Sequence, residues 1–179
     1  LVRRQDTPSM SGLYILHEGP LGVFDETLDE QDYSDLKDAP IGGVKIEPSE
    51  PGGWIGITDK YWLAALLPSQ QDKFTYSFQS LPGKADRYQV DYIDNSGQIL
   101  SAGGAVSAQG RLFAGAKKVV LLDHYKDELG IPNFDLAIDF GWFYFLTKPF
   151  FYAINWLFQL FGNFGVATLA FTVVVKLAF

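Results

Sequence analysis

The stretch Phe74-Thr-Tyr-Ser-Phe-Gln79 alternates aromatic and polar residues, which is the period-two pattern of a β-strand with one buried face. Residues 88–92 repeat this alternation, and the turn-forming residues 94–97 then lead into a further short strand at 98–100. Consecutive strands joined by short turns favour antiparallel hairpins. The pattern therefore predicts a mainly β fold, an antiparallel sandwich.

Upstream of these strands, the sequence predicts a hairpin, an acidic loop and a core segment. Residues 13–24 read as two short strands around a turn at 18–20. The acidic residues at 25–38 are typical of a solvated loop, because their spacing does not match that of a calcium-binding EF-hand. The apolar run 54–67 predicts central core, with Thr58 capping a helical turn, and the choice between helix and strand stays open there.

Downstream, residues 117–129 predict an amphipathic helix that closes the domain. Val119 and Leu122 lie on one face of this helix together with Tyr125, and Gly130 follows as its C-cap. The first domain is therefore predicted to span residues 1–130.

Charge divides the chain into two unequal parts. Residues 1–139 contain twelve Lys or Arg against twenty-one Asp or Glu, a net charge of −9, whereas residues 140–179 contain only Lys148 and Lys176. Because an acidic domain repels phosphates, no nucleic-acid partner is expected. Cysteine is absent, which excludes a disulfide framework and a cysteine-based zinc site; no metal and no cofactor are expected.

Residues 131–162 predict a linker followed by an amphipathic interfacial helix, because twelve of the 25 residues at 140–164 are aromatic. In a helix, Tyr144, Lys148 and Tyr152 share a narrow polar stripe with Asn155 and Gln159, which suits the headgroup boundary of a membrane. Pro149 requires either a kink or a helix that begins near Thr147. The alternative is a core helix packed on the domain. The residues predicted at the membrane interface are Trp142, Tyr144, Lys148, Tyr152 and Trp156.

Residues 163–179 predict the start of a transmembrane helix, since sixteen residues from Phe164 onward include one charge and a full span needs about 20. Acidic residues dominate the domain before it and no Lys or Arg cluster sits at its start, which places that start on the non-cytoplasmic side by the positive-inside tendency. Thr168, Thr172 and Lys176 share one helix face, and a charge at this depth indicates a polar cavity or a partner. A lysine that snorkels to the headgroups, with threonines bonded to their own helix, is an equally open alternative.

Two stretches resemble a known family. The run from Asn133 to Leu157, Asn-Phe-Asp-Leu-Ala-Ile-Asp-Phe-Gly-Trp-Phe-Tyr-Phe-Leu-Thr-Lys-Pro-Phe-Phe-Tyr-Ala-Ile-Asn-Trp-Leu, followed by Gly162-Asn-Phe-Gly-Val-Ala, is similar to the bacterial insertases of the YidC/Oxa/Alb family. The run 52–68 resembles their large periplasmic domain. This resemblance implies a β-supersandwich related to sugar mutarotases, then an amphipathic helix on the periplasmic surface and the first helix of a five-helix core.

The resemblance also implies a function. Members of this family insert, and help to fold, newly made proteins of the bacterial inner membrane, alone or beside the Sec translocon and SecDF. The expected partners are thus nascent membrane proteins, the Sec translocon, SecDF and the lipid bilayer, with the β domain in the periplasm. The family's groove contains a positive residue, often Arg, and Lys176 stands at the matching position, with Thr172 lining the same groove and Thr168 on the same face.

Two other classes of function lead to different expectations for the sequence. A sugar enzyme would need a His and a carboxylate in one cleft, and His17 and His124 are read as surface or boundary residues, so no catalytic residue and no enzyme activity are expected. An envelope scaffold anchored by a membrane helix would need no charge in the bilayer. Lys176 therefore separates the scaffold from the insertase.

Overall fold

A computed structural model describes residues 1–5, 17–83, 86–97, 99–141 and 143–178. The chain forms two compact units, Leu1–Ile138 and Asp139–Phe179. In chain order, the described strands are β1 (Val2–Gln5), β2 (Gly19–Phe24), β3 (Thr27–Glu30), β4 (Val44–Ile46), β5 (Trp54–Asp59), β6 (Trp62–Leu67), β7 (Phe74–Leu81), β8 (Arg87–Asp94) and β9 (Arg111–Ala116). The helices of the first unit are α1 (Tyr33–Asp38), α2 (Val119–Leu129) and a short 3₁₀ helix, Phe134–Ala137.

The strands form two antiparallel sheets. The first has the spatial order β1-β8-β7-β4, and the second has the order β3-β2-β5-β6-β9. The predicted strands at 74–79 and 88–92 pair directly, with Phe78 opposite Val90. The prediction of a mainly β antiparallel sandwich with a closing helix is confirmed.

One core lies between the two sheets. Tyr76, Phe78 and Val90 of the first sheet pack with Ile55 and Ile57 of the second, and all five side chains are buried. The period-two alternation explains this arrangement, because every second residue of β7 and β8 points to the same face. The sandwich interior is therefore built from the residues on which the strand prediction rested.

A second core lies on the other face of the second sheet, under α2 and the 3₁₀ helix. Trp54 is fully buried there, and its indole Nε1 donates a hydrogen bond of 3.1 Å to the Pro132 carbonyl. Leu122 of α2 and Phe134 close the same core. Because β5 is covered on both faces, its sequence is a continuous apolar run rather than an alternating one.

The closing helix ends where the sequence predicts. Gly130 adopts the left-handed conformation, with φ of 61°, and its N–H donates to the Lys126 carbonyl. A residue with a Cβ is disfavoured in this conformation, which makes glycine the usual residue after a helix.

The predicted turn at 18–20 is wrong within the described residues, because Gly19 and Pro20 belong to β2. The upstream strand of that hairpin falls mainly on residues that lie outside the described part. The observed hairpin joins β2 to β3 through Asp25 and Glu26, whose φ angles are 49° and 62°. Positive φ at both residues is the requirement of a two-residue type I′ turn.

The acidic stretch is not a loop. Residues 25–38 contain β3 and α1, and Tyr33 and Leu36 of α1 are buried against the inter-sheet core. These two apolar residues lie three positions apart, so they share one helix face while the acidic side chains remain in water.

Two further local predictions are also wrong. The predicted helical turn at Thr58 is instead the end of β5, which forms a hairpin with β6 through Lys60 and Tyr61. Gln98 lies outside the described residues, and residues 99–100 form no strand. The second sheet is completed by β9, which the sequence analysis did not predict.

The second unit contains two helices, α3 (Tyr144–Phe161) and α4 (Phe164–Ala178). They fold back on each other, since the rings of Phe150 and Phe171 lie 5.1 Å apart and those of Phe158 and Phe164 lie 6.2 Å apart. Across the residues described, neither these helices nor any other combines the length and the apolar character needed to cross a membrane. The start of a span at 163–179 stays a prediction.

Candidate functional site

Large apolar side chains dominate the surface of the Asp139–Phe179 unit. In α3, which the structure describes throughout, no residue is buried. The exposed large apolar residues of the unit are Phe143, Phe145, Leu146, Phe151, Tyr152, Trp156, Phe158, Leu160, Phe161, Phe164, Val166, Leu169, Val173, Val174 and Leu177. Contiguous apolar surface of this extent marks a membrane or protein contact rather than a water-exposed face.

A polar stripe interrupts the apolar surface of α3. Lys148 Nζ donates a hydrogen bond of 3.0 Å to the Tyr144 hydroxyl, and it lies 5.3 Å from the centre of that ring. Tyr152 follows one turn later, and Trp156 is 63% exposed a further turn along. The structure thus brings four of the five predicted interface residues to successive turns of one helix. Trp142, the fifth, lies outside the described residues.

Pro149 lies inside α3 rather than in its first turn. The helix begins at Tyr144, earlier than the alternative start near Thr147. Proline has no N–H, so the Phe145 carbonyl receives no backbone hydrogen bond from position 149. Near the helix start, the Thr147 hydroxyl donates to the Phe143 carbonyl at 3.0 Å, an oxygen that also accepts the backbone N–H groups of Leu146 and Thr147.

A two-residue corner joins the helices. Gly162 ends α3 with φ of 67°, and its N–H donates to the Phe158 carbonyl. Asn163 Oδ1 then accepts hydrogen bonds from the N–H groups of Gly165 at 2.9 Å and Val166 at 3.2 Å. Each residue therefore completes one helix end, as expected for a left-handed C-cap and an asparagine N-cap.

The predicted groove residues share one exposed face of α4. The Thr168 hydroxyl donates to the Phe164 carbonyl at 2.9 Å, and the Thr172 hydroxyl donates to the Thr168 carbonyl at 2.8 Å. Both hydroxyl protons are therefore directed into the helix backbone. The ammonium of Lys176 is consequently the principal outward-facing donor of this face.

Sequence reasoning missed a group of contacts that ties the segment after α2 to the sheets. We call Lys126, Asp135, Asn133 and Glu26 the connector clamp. Asp135 is 1% exposed, and its carboxylate lies 3.0 Å from Lys126 Nζ. Asn133 Nδ2 donates to the Glu26 carbonyl at 2.8 Å. The segment 131–137, assigned to the linker by sequence, contributes buried residues to the core of the first unit.

The two histidines lie at different places in the fold. His17 Nε2 is 3.2 Å from the Pro20 carbonyl, at the start of β2. His124 Nε2 is 3.1 Å from the Glu128 carboxylate, one turn along α2, and both side chains are largely exposed. Among the residues described, no three His, Cys, Asp or Glu side chains converge in a way that would hold a metal ion.

Comparison with known families gives this architecture a context. The profile of the YidC periplasmic domain matches residues 1–153, which include the whole β unit and the first half of α3. The chain belongs to the YidC periplasmic domain family. This membership confirms the resemblance seen in the sequence, and it confirms the periplasmic location of the β domain in a protein of the bacterial inner membrane.

Several relatives of the chain, all named YidC, match it over nearly its whole length, including α4. The membrane protein insertase YidC of Granulibacter bethesdensis is 50% identical over 181 residues, which cover 99% of this chain and 31% of the relative. The proteins of the same name from Rickettsia bellii and Agrobacterium fabrum are 47% and 43% identical, and the chain covers 31% and 29% of their lengths. The chain thus spans under a third of these relatives.

Proposed function

We propose that this chain is part of a membrane protein insertase, a protein that inserts newly made inner-membrane proteins and helps them to fold. The observation that supports the proposal best is the apolar surface of α3 and α4, in a chain whose relatives are named membrane protein insertases. Its substrates are nascent membrane proteins. Action beside the Sec translocon and SecDF is a further part of the proposal, and it rests on the family resemblance.

In this proposal the two helices have different positions in the bilayer. The helix α3 lies in the headgroup boundary, and its residues Tyr144, Lys148, Tyr152 and Trp156 contact the interface, as does Trp142, which precedes the helix in the sequence. The helix α4 enters the hydrocarbon from the periplasmic side. At about 1.5 Å per residue, Lys176 lies roughly 18 Å along α4 from Phe164, past the middle of a hydrocarbon core of about 30 Å.

Lys176 is the proposed contact for substrate. An ammonium in a low-dielectric surrounding attracts an acidic or polar segment of a passing chain more strongly than it would in water. Lysine lacks the bidentate fork of arginine, so it specifies the geometry of that segment less closely. Binding of this kind requires no bond to be made or broken, and we therefore propose a role without enzyme activity.

One observation favours a second candidate, an envelope scaffold anchored by α4. The hydroxyls of Thr168 and Thr172 bond to their own helix, as expected where a lysine simply snorkels and no groove is lined. In that case the β unit would dock another envelope protein, and Lys176 would have no part in insertion.

A depletion and complementation assay separates these candidates. The full-length parent protein is expressed with Lys176→Arg, Lys176→Leu or Lys176→Glu, and insertion of a small phage-coat or ATP synthase c-type substrate is scored. The insertase proposal expects Arg to support insertion, whereas Leu and Glu fail at normal protein levels. Val173→Leu, on another exposed position of α4, is the matched control and is expected to be silent. Equal insertion by all variants would favour the scaffold.

A further inference from the structure

The connection between β8 and β9 is the longest uncharged stretch in the sequence of the acidic β unit. Residues 95–110 separate Asp94 from Arg111 and contain no Lys, Arg, Asp or Glu. Ten of these sixteen residues are Gly, Ala or Ser. Long connections without helix or strand are uncommon in compact domains, and those that occur are often functional. The composition of this connection therefore requires an explanation that solubility alone does not give.

The structure leaves this connection in water. Residues 99–110, which we call the neutral loop, form no helix or strand, and every one of them is exposed. A turn opens the neutral loop, where the Gly104 N–H donates to the Ser101 carbonyl at 2.9 Å and Gly103 has a φ of 79°. Val106, just beyond this turn, is 50% exposed. Because the side chains at 105–108 are small, they shield the peptide bonds between them only slightly.

Exposure and composition together fit the substrate requirements of one class of endoprotease. Exposed loops with small residues are the preferred sites of proteolytic nicking. A protease cleft binds its substrate in an extended conformation, which requires backbone that is not already paired in a sheet. The neutral loop offers no basic residue to a trypsin-like pocket and no acidic residue to a pocket specific for glutamate. Ala105 and Val106 instead fit the small apolar pocket of an elastase-like enzyme.

We propose that the neutral loop is a proteolytic processing site, at which a periplasmic serine endoprotease of elastase-like specificity cuts the chain after Ala105 or Val106. At the second bond, the protease serine oxygen takes the acyl group of Val106 while the C–N bond to Ser107 breaks, and water then hydrolyses the ester. One water is consumed, and one carboxylate and one ammonium are formed. The inference goes beyond the proposed insertase role and does not depend on it.

Contacts that cross the cut hold the two parts together. The first part contains β1 to β8, and the second contains β9 and all helices from α2 onward. The strand β9 pairs with β6 along six residues. Leu122 of α2 is buried in the same core as Trp54, and the Phe134 ring lies 5.2 Å from the ring of Trp54. The cut therefore replaces a covalent connection with a non-covalent one, and the parts separate only when the β unit unfolds.

Limited digestion of the full chain in detergent with pancreatic elastase tests the position of the cut. Mass spectrometry of the fragments is expected to show early ends after Ala105 or Val106. Size-exclusion chromatography of the cut chain in the same detergent should give one peak at the position of the uncut chain, and urea should separate the fragments. No early cut at these bonds would overturn the proposal, and fragments that separate without urea would overturn the association of the two parts.

A change of one residue tests the specificity. Val106→Asp places a carboxylate beside both bonds, and it is expected to slow cleavage there more than about tenfold, because an apolar pocket rejects a charge. Ile99→Asp is the matched control. It adds the same charge to the same loop at a residue that is 94% exposed, seven positions before Val106, and it is expected to leave the rate unchanged. Equal slowing by both variants would mean that the pocket does not read position 106.

The full-length parent protein tests whether the site is used in the cell. Elastase added to spheroplasts is expected to produce the same ends, and a fraction of the parent isolated without added protease should begin at Val106 or Ser107. Absence of the cut in spheroplasts would overturn the exposure of the site, and absence of these ends in cells would overturn natural processing. Insertion by the Val106→Asp parent should equal that of the wild type, so failure of the insertase proposal would leave this test unaffected.

Discussion

The two units of the molecule place their apolar residues in opposite directions. In Leu1–Ile138 many large apolar side chains, such as Trp54 and Phe78, are fully buried, although Trp62 is 63% exposed, whereas in α3 none is buried. The same preference of apolar groups for apolar surroundings explains both if the second unit lies in the membrane as proposed, because the first unit supplies its own interior and the second would meet a lipid one. The exposed fraction of an apolar side chain therefore indicates an unfavourable position only where the surrounding solvent is water.

Of the changes that test this difference between the two units, truncation of Trp54 is expected to cause the largest loss of stability. Trp54→Ala removes the indole from a fully buried site, together with its contact with Phe134 and its hydrogen bond to Pro132. Large-to-small changes of this kind cost about 3–5 kcal/mol of unfolding free energy. Urea unfolding of the full chain in detergent, followed by near-ultraviolet circular dichroism, measures the loss. A cost below about 1 kcal/mol would contradict the assigned core.

The Lys126–Asp135 pair of the connector clamp tests whether the first unit depends on a buried ion pair. Lys126→Met leaves the buried Asp135 carboxylate without its cation, which is expected to cost about 3 kcal/mol. Asp135→Asn leaves Lys126, which is partly exposed, able to reach water, so it should cost less. Thermal unfolding of the two variants gives the order directly. A larger loss in Asp135→Asn would mean that the pair does not act as a buried ion pair.

Truncation of an exposed ring on α3 should leave the stability of the β unit unchanged and weaken membrane binding, whereas truncation in the core should lower stability. Phe145 is 73% exposed, so Phe145→Ala is expected to change the unfolding free energy of the β unit by less than about 0.5 kcal/mol. Its loss should weaken partition into vesicles by about 1.5–3 kcal/mol, since the ring no longer enters the acyl region. Vesicle flotation measures this partition, with Trp54→Ala as the reciprocal variant. Unchanged partition would mean that Phe145 does not contact lipid.

The smallest expected effect concerns Asp25. Like Asn163, its side chain accepts hydrogen bonds from two backbone N–H groups. Asp25 accepts from Glu50 and Ser49, and these hydrogen bonds hold the pKa of its carboxyl below the usual value. The stabilisation is therefore fully present above the unfolded-state pKa of about 3.9, and it is lost as the pH falls through the lower folded-state pKa.

Asp25→Asn should thus destabilise the chain slightly at pH 7, and its difference from the wild type should shrink as the pH falls below the unfolded-state pKa of about 3.9, as measured by urea unfolding at a series of pH values. Asn163 binds two N–H groups of α4 in the same way but does not titrate, so the helix signal of α4 should not change over this range. A constant difference between wild type and Asp25→Asn would show that the carboxylate charge contributes nothing.

Periodic patterns in the sequence predicted those features of the fold that are determined within a single helix or strand, by which side chains share one face. The alternation in β7 and β8 predicted the inter-sheet core, and Gly130 marked the end of α2. The polar residues of α3 and the Thr168, Thr172 and Lys176 face of α4 followed from helical spacing alone. In each case, local geometry determines which side chains lie together.

Features that depend on contacts distant in sequence, or on unusual backbone angles, were not predictable. The turn at Asp25 and Glu26 requires positive φ at two residues without the usual glycine, whereas Gly19 and Pro20 offered a stronger turn signal. Pro20 is tolerated near the start of β2, where a missing N–H matters least. The Lys126–Asp135 pair joins residues on either side of a helix end. The sequence also could not predict whether the hydroxyls of Thr168 and Thr172 bond to their own helix or to a partner.

The corner at Gly162 and Asn163 limits insertions and deletions between α3 and α4. Both residues are committed to closing a helix, so no residue of the corner is spare. One inserted residue within α4 ahead of Thr168 would turn everything beyond it by about 100°, because a helix has 3.6 residues per turn. Thr168, Thr172 and Lys176 would keep their common face, but that face would point in another direction relative to the corner. Substitutions should accumulate freely on the apolar surface of these helices, whereas insertions and deletions between them should be rare among descendants of this protein.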